Sequence, residues 1–290
     1  TLAVLIRNAT LDYMAAQFND TAPGFTVRVV DYSDGTAYTP EQAAARLTTE
    51  IISGKGPDMV CFNGISPYPY IRSGMLANIG AFIAQDGDIS LDDIVIADVL
   101  KEGEGIYFMP SSFAVDSMVA RTDRFGARYG WTVDEYLDMD RSLLAGCELS
   151  YIGWPTPDGS CGSDAMLKDP IGIISTGQST ERCWKFIKYM VMNAPNGLDL
   201  PRMPVYKPLL DAAIKEAHTS DSLQVKVTDA DADSFYALID RVENSTLYDT
   251  QMLRIISEES QAYFNGDKTA AEAARIIQSK ASIYLAEQYG

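Results

Sequence analysis

Apolar positions in the first half of the chain alternate between two periods. Leu2 to Ile6 is a continuous apolar run and reads as a buried strand. Leu11, Met14, Ala15 and Phe18 then fall on one helical face, and Phe25, Val27 and Val29 alternate as a second strand. Thr39-Pro40-Glu41-Gln42 is a helix start: Thr39 can cap, Pro40 suits the first helical position and Gln42 completes a capping box. Ala43, Leu47 and Ile51 give that helix its buried stripe, and Gly54 suits a left-handed end. Pro57 to Phe62 is a third strand, Tyr68 to Met75 and Leu91 to Leu100 are short helices, and Ile106 to Met109 and Ala114 to Ala120 are strands around Pro110-Ser111-Ser112. This order predicts an α/β fold with a mostly parallel sheet covered by helices on both faces. Such sheets bind ligands at the carboxyl ends of their strands. The loops there are Arg7-Asn8-Ala9, Asn63-Gly64-Ile65 and Ser111-Ser112-Phe113.

The second half reads differently. Thr132 to Glu135 is another capping box, and strands at Glu148 to Gly153 and Pro170 to Ser175 flank a turn at Trp154-Pro155-Thr156-Pro157-Asp158-Gly159. From Ser179 onward the pattern is almost all helical, with stretches at Trp184 to Val191, Leu209 to Ala217, Phe235 to Val242 and Leu253 to Phe264. A third capping box, Thr269 to Glu272, opens a last helix with a stripe of Ala273, Ile276, Ile277 and Tyr284. There is no internal repeat.

Composition narrows the function classes. With 290 residues and 47% apolar side chains, the chain can fill one large core or two smaller ones. No apolar run approaches the roughly 20 residues of a membrane span. The chain opens directly on a strand, so a targeting segment removed before Thr1 is compatible with export. A net charge of −17 repels nucleic acid and anionic lipid. It also disfavours polyanionic ligands unless a local basic pocket exists, and no run of Lys and Arg builds one. Of the four cysteines, Cys61 and Cys183 sit in apolar stretches and read as core, while Cys147 and Cys161 flank a strand and a turn and could pair after export.

Several segments resemble the extracellular solute-binding proteins of carbohydrate ABC transporters, the maltose-binding-protein-like group. Glu50 to Val60 looks like that family's helix-to-strand passage into the ligand cleft. Tyr107-Phe108-Met109-Pro110-Ser111-Ser112-Phe113 looks like its first crossing between lobes, and Gly153 to Ser160 like the turn before the returning strand. Gly172 to Ser175 with Cys183 to Ile187 resembles the return strand and its helix, and Ala262 to Thr269 running on to Lys280 resembles the C-terminal helices. The likeness covers nearly the whole chain in the family's order. It implies a periplasmic-binding-protein-like fold, a sugar or oligosaccharide bound between two lobes, and ABC permease subunits in the membrane as partners. It further implies a monomer at the cell surface, lipid-anchored in the full precursor. One departure stands out: the block that normally builds most of the second lobe is missing between Asp140 and Arg141. The expected division is an N-terminal lobe at 1–112, a reduced second lobe with crossing strands at 113–170, a return strand and helix at 171–195, and a helical region at 196–290. A one-lobe scaffold without transport activity is the alternative that this shortening raises.

Sugar sites combine aromatic faces with a few amides and carboxylates. The ligand-binding candidates are therefore Asn8, Asn63, Gly64, Tyr68, Ser112, Phe113 and Trp154. The competing roles are turn formation for the polar residues, Asn63 before Gly64 above all, and rim or core packing for the aromatics, Tyr70 among them. Trp131 and Trp184 read as packing. No catalytic residue, metal ligand or cofactor is expected. His218, the only histidine, lies near a helix end and reads as a surface residue, and no Ser/His/Asp or Cys/His set can be assembled without it. Asp229 to Asp233 imitates a calcium loop but has Ser234 where glycine is required, and fits a helix start better. A glycan-acting enzyme has only the abundance of acids and aromatics behind it.

Overall fold

The computed structural model describes residues 1–22, 24–126, 128–137, 149–177, 179–195, 202–219, 228–247 and 249–289. Its first sheet has the order β2 (Val29–Asp31), β1 (Leu2–Val4), β3 (Met59–Cys61), β9 (Ile171–Ile173), β4 (Phe108–Met109). β1 runs parallel to both β2 and β3, as the alternation of strand and helix requires. β9 returns antiparallel to β3 and β4, so it is the one reversed strand in a sheet whose other four strands run the same way. The second sheet has the order β10 (Met203–Pro204), β5 (Ser112–Asp116), β8 (Asp164–Lys168), β11 (Asn244–Thr246). A separate antiparallel pair joins β6 (Val119–Arg121) to β7 (Leu149–Tyr151). The chain crosses from the first sheet to the second between β4 and β5, and comes back between β8 and β9.

Helices α1 (Ala9–Thr21) and α2 (Pro40–Ile52) follow β1 and β2, with the expected stripes buried. The Thr39–Gln42 capping box forms in both directions. Short helices α3 (Tyr68–Arg72), α4 (Ile79–Ile83), α5 (Thr122–Phe125) and α6 (Val133–Leu137) follow. The C-terminal part carries α7 (Thr180–Met192), α8 (Lys207–Thr219), α9 (Asp229–Ile239), α10 (Thr250–Phe264) and α11 (Ala270–Tyr289). Asp229 to Asp233 is indeed a helix start: Thr228 Oγ1 accepts from the Asp231 backbone N–H at 3.2 Å, and Asp231 accepts from the Thr228 N–H at 2.8 Å.

Three expectations change. Leu91 to Leu100 is not one helix but two 3-10 turns, because the Val95 N–H leaves the helical pattern to donate to Val205 O at 3.0 Å. Ala114 to Ala120 divides into β5 and β6, which belong to different sheets. The stretch after Ser179 is not all helix: β10 and β11 supply the outer strands of the second sheet, whose backbone groups need partners. Cys147, part of the strand expected at Glu148, and the junction at Asp140–Arg141 lie outside the described residues.

One core joins both sheets to α1, α2 and α7, with Phe18, Phe186 and Leu167 in the same cluster. Phe18 meets Phe186 at 5.3 Å between ring centroids. Cys61, Cys183 and Trp184 lie in it, as their apolar settings imply. A much smaller core of Ala120, Trp131 and Ile152 lies under β6 and β7, where the Trp131 indole donates to Gly153 O at 2.7 Å.

The fully buried Phe186 is expected to cost about 3–5 kcal/mol when replaced by alanine, read from denaturant midpoints. On the same helix, Lys188 pairs with Asp86 at 2.9 Å. Burial pushes the Asp86 carboxyl up, but the Asp88 backbone N–H, Lys188 and the Trp184 indole together hold it below its ordinary range. A lowered carboxylate stabilises the fold at neutral pH and loses that contribution as pH falls through the lowered value. Lys188→Met should therefore flatten the acid side of a stability–pH curve, measured by urea unfolding between pH 7 and pH 3.

Candidate functional site

Asn8 follows β1, Asn63 follows β3, and Asp169 stands between β8 and β9 where the chain re-enters the first sheet. The antiparallel register puts Ile171 beside Cys61, so Asp169 reaches the same end of the sheet as Asn8 and Asn63. Asp169 is 1% exposed, with a backbone φ of 52° that few non-glycine residues adopt. Its Oδ1 accepts from the Asn8 and Asn63 side-chain amides, the latter at 2.8 Å. Its Oδ2 accepts from Arg202 Nη1 at 3.1 Å. A carboxylate only accepts, so both asparagines must turn their NH2 groups toward it. Asn8 Oδ1 is then free to cap α1, accepting from the Thr10 N–H at 2.8 Å. The expected polar groups at the strand ends are thus brought together, by a carboxylate and a guanidinium that the sequence pattern did not single out.

Beside this cluster lies a pocket of about 160 Å³ lined by Ser66, Tyr68, Leu247, Asp249 and Tyr284 among others. Tyr284 donates to Asp249 Oδ2 at 2.7 Å, while Asp249 Oδ1 caps α10 through the Met252 N–H at 2.9 Å. Tyr68 therefore lines a hollow of mixed polar and apolar walls that the C-terminal helices complete.

The other candidates separate. Gly64 is buried in a turn with φ 92°; a Cβ there would meet Ile6 at 2.9 Å, and its carbonyl accepts from Thr250 Oγ1 at 2.8 Å. It seats α10 and has no free surface for a ligand. Phe113 is 0% exposed and faces the main core, opposite to the open face of its sheet. Its place as a cleft aromatic is corrected accordingly, because strand alternation turns it inward. Ser112 is on the open face but only 5% exposed. Tyr70 is core, sharing a hydrogen bond with Thr48 at 2.8 Å. Trp154 is 47% exposed, and its indole donates to Asp116 Oδ1 at 3.2 Å, at the far end of the second sheet.

A larger hollow of about 470 Å³ opens between α4 and α7, lined by Phe82, Trp184 and Asp86. It adjoins Ala77, which bonds to Ile173 opposite the start of β3, at the wrong end of the sheet for the polar cluster. The Asp86 carboxylate there is already taken by Trp184 and Lys188. The strand-end cluster carries the chemistry.

A bacterial extracellular solute-binding protein family model matches residues 3–206, from β1 through β10 and so across the whole cluster. The chain belongs to that family. Solved structures agree on the fold. An ABC substrate-binding protein from Listeria monocytogenes, in complex with cycloalternan, is 13% identical with a TM-score of 0.56, over 98% of this chain and 98% of that one. A periplasmic oligogalacturonide binding protein from Yersinia enterocolitica is 12% identical at TM-score 0.56, over 99% and 98%. The sugar-binding protein MalE from Xanthomonas citri is 12% identical at TM-score 0.56, over 100% and 99%. A comparison with the curated proteins finds no match.

Removing the Asp169 side chain leaves Arg202 and two amides without their acceptor. Asp169→Ala is expected to cost about 3–5 kcal/mol in chemical denaturation, the range for breaking a buried charged pair. Arg202→Ala, which leaves Asp169 still bonded to Asn8 and Asn63, should cost less.

Proposed function

We propose that this chain is the substrate-binding component of an ABC importer and takes a sugar or oligosaccharide at the carboxyl ends of β1 and β3. The observation that carries the reading is the convergence of Asn8, Asn63, Asp169 and Arg202 at those strand ends, where the chain crosses between sheets. Crossing strands allow hinge closure, and closure is what such proteins present to a membrane partner. The family supports this role, and the fold shared with sugar-binding proteins supports the ligand class. In this reading Asn8, Asn63 and Tyr68 face the sugar, and Trp154 offers its ring from the reduced lobe. The division at residues 112, 170 and 195 then separates the N-terminal lobe, that lobe with its crossing strands, the return, and the helical cap. The protein works as a monomer outside the cell, held at the surface by a lipid anchor. It binds and releases its ligand without chemistry.

The small Ala120–Trp131–Ile152 core favours a second reading, a one-lobe binding scaffold without transport. Calorimetry against a panel of mono- and oligosaccharides separates the two. Binding, accompanied by a smaller radius of gyration in X-ray scattering, supports the importer component. Binding without compaction supports the scaffold, and no heat with any sugar removes the sugar reading. Trp154→Ala should weaken a bound sugar by about 0.5–1.5 kcal/mol, in the range of a lost aromatic contact.

A further inference from the structure

The open face of the second sheet has an electrostatic polarity that no stretch of the sequence contains. Cross-strand register sets Lys168 opposite Ser112, and Ser112 opposite Pro204. Residues directly opposite share a face, and alternate residues along a strand do too. Lys168, Ser112, Ala114 and Arg202, two residues before Pro204, therefore lie on one face, with two small side chains between two cations. Asp169 pairs with Arg202. Lys168 does not share that relief: its ammonium contacts the Met166 sulfur at 2.9 Å, and among the described residues it has no carboxylate in ion-pair range. Two cations against one carboxylate leave one uncompensated positive charge, partly buried, in a protein of net charge −17. Burial and the neighbouring Arg202 both press the Lys168 pKa down, while Asp169 presses it up. The opposite end of the same face is acidic. Asp116 stands directly across from Asp164, about 13 Å along the strand from Lys168, with Trp154 on Asp116.

We propose that Lys168 and Arg202 form an anion subsite of the sugar site, so that the ligand is an acidic sugar whose carboxylate sits between them. The inference rests on the sugar-binding reading and names its ligand class. Arg202 spends Nη1 on Asp169 and keeps further guanidinium N–H groups for a carboxylate. A single surplus charge matches a uronate monoanion better than a phosphate dianion. The acidic far end repels a second negative group, so the charge is at one end of the ligand and the neutral remainder extends toward Trp154. An unpaired, partly buried cation costs stability, and a site that keeps one does so for what it binds.

Calorimetry on the full chain tests this with galacturonic acid, digalacturonate, galactose, maltotriose and glucose 6-phosphate. Galacturonic acid should bind at least about tenfold tighter than the neutral sugars, and tighter than digalacturonate, whose second carboxylate meets the acidic end, with a preference that shrinks as salt rises. Lys168→Gln should abolish the preference without lowering the unfolding midpoint, whereas a merely structural lysine would lower it. Arg202→Gln should weaken uronate binding by about tenfold, and by more than it weakens neutral sugars. Equal or tighter binding of the neutral sugars overturns the subsite and leaves the sugar reading standing. Tighter binding of glucose 6-phosphate overturns the carboxylate assignment. No binding of any of the five removes the sugar reading together with the subsite built on it.

Discussion

The Asp169 carboxylate is the interaction on which the rest of the arrangement depends. It lies where the second sheet ends and the first sheet resumes, and its three hydrogen bonds tie together segments far apart in the chain. Asn8 and Asn63 come from the first sheet, Arg202 from the strand that borders the second. An ionised carboxylate with 1% exposure survives only if its lone pairs are met, so the three donors and the acid hold one another in place. The φ of 52° at Asp169 lets the chain turn sharply between β8 and β9, and the surrounding bonds offset that strain.

Stability is unevenly distributed around that junction. The first sheet, the second sheet and α7 share one continuous core, whereas β6 and β7 rest on three buried residues. The turn from Gly153 to Gly162 is held mainly by close backbone approach: a Cβ on Gly162 would come within 2.0 Å of Trp154 O. That fixes the ring of Trp154 in an exposed position without a large core beneath it. At the other side, α10 and α11 are locked by Glu259, buried on α10 and bonded by Lys268 and by Lys280 at 2.7 Å. The two lysines hold its carboxyl below the ordinary range, so the helical hairpin keeps its shape although much of its surface is exposed.

Much of the fold was legible because its signals are local. The capping boxes at Thr39, Thr132 and Thr269 each form as read, since the donor and acceptor are three residues apart and need nothing else. The buried stripes of α1 and α2 followed from spacing alone. Trp131 packed inward, as its setting before a helix start implied. The misreadings share a cause. Val95 breaks its helix to reach Val205, and β10 and β11 are strands because an exposed sheet edge stands next to them; neither partner is near in sequence. Gly64 lies in a strand-end turn and Phe113 in β5, but α10 covers one and strand alternation turns the other inward.

The sequence by itself determined the alternation of strands and helices, the helix ends and the ordered segments that mark the family, because each depends on residues within a few positions of one another. It placed Asn8 and Asn63 at strand ends for the same reason. Only the tertiary structure decided what those amides bond to, since Asp169 lies 161 residues from Asn8 and 106 from Asn63. It also decided the local charge. A chain with no basic run acquires two neighbouring cations when β5 sets Lys168 and Arg202 on one face of a sheet, because register across strands, not order along the chain, determines which charges meet.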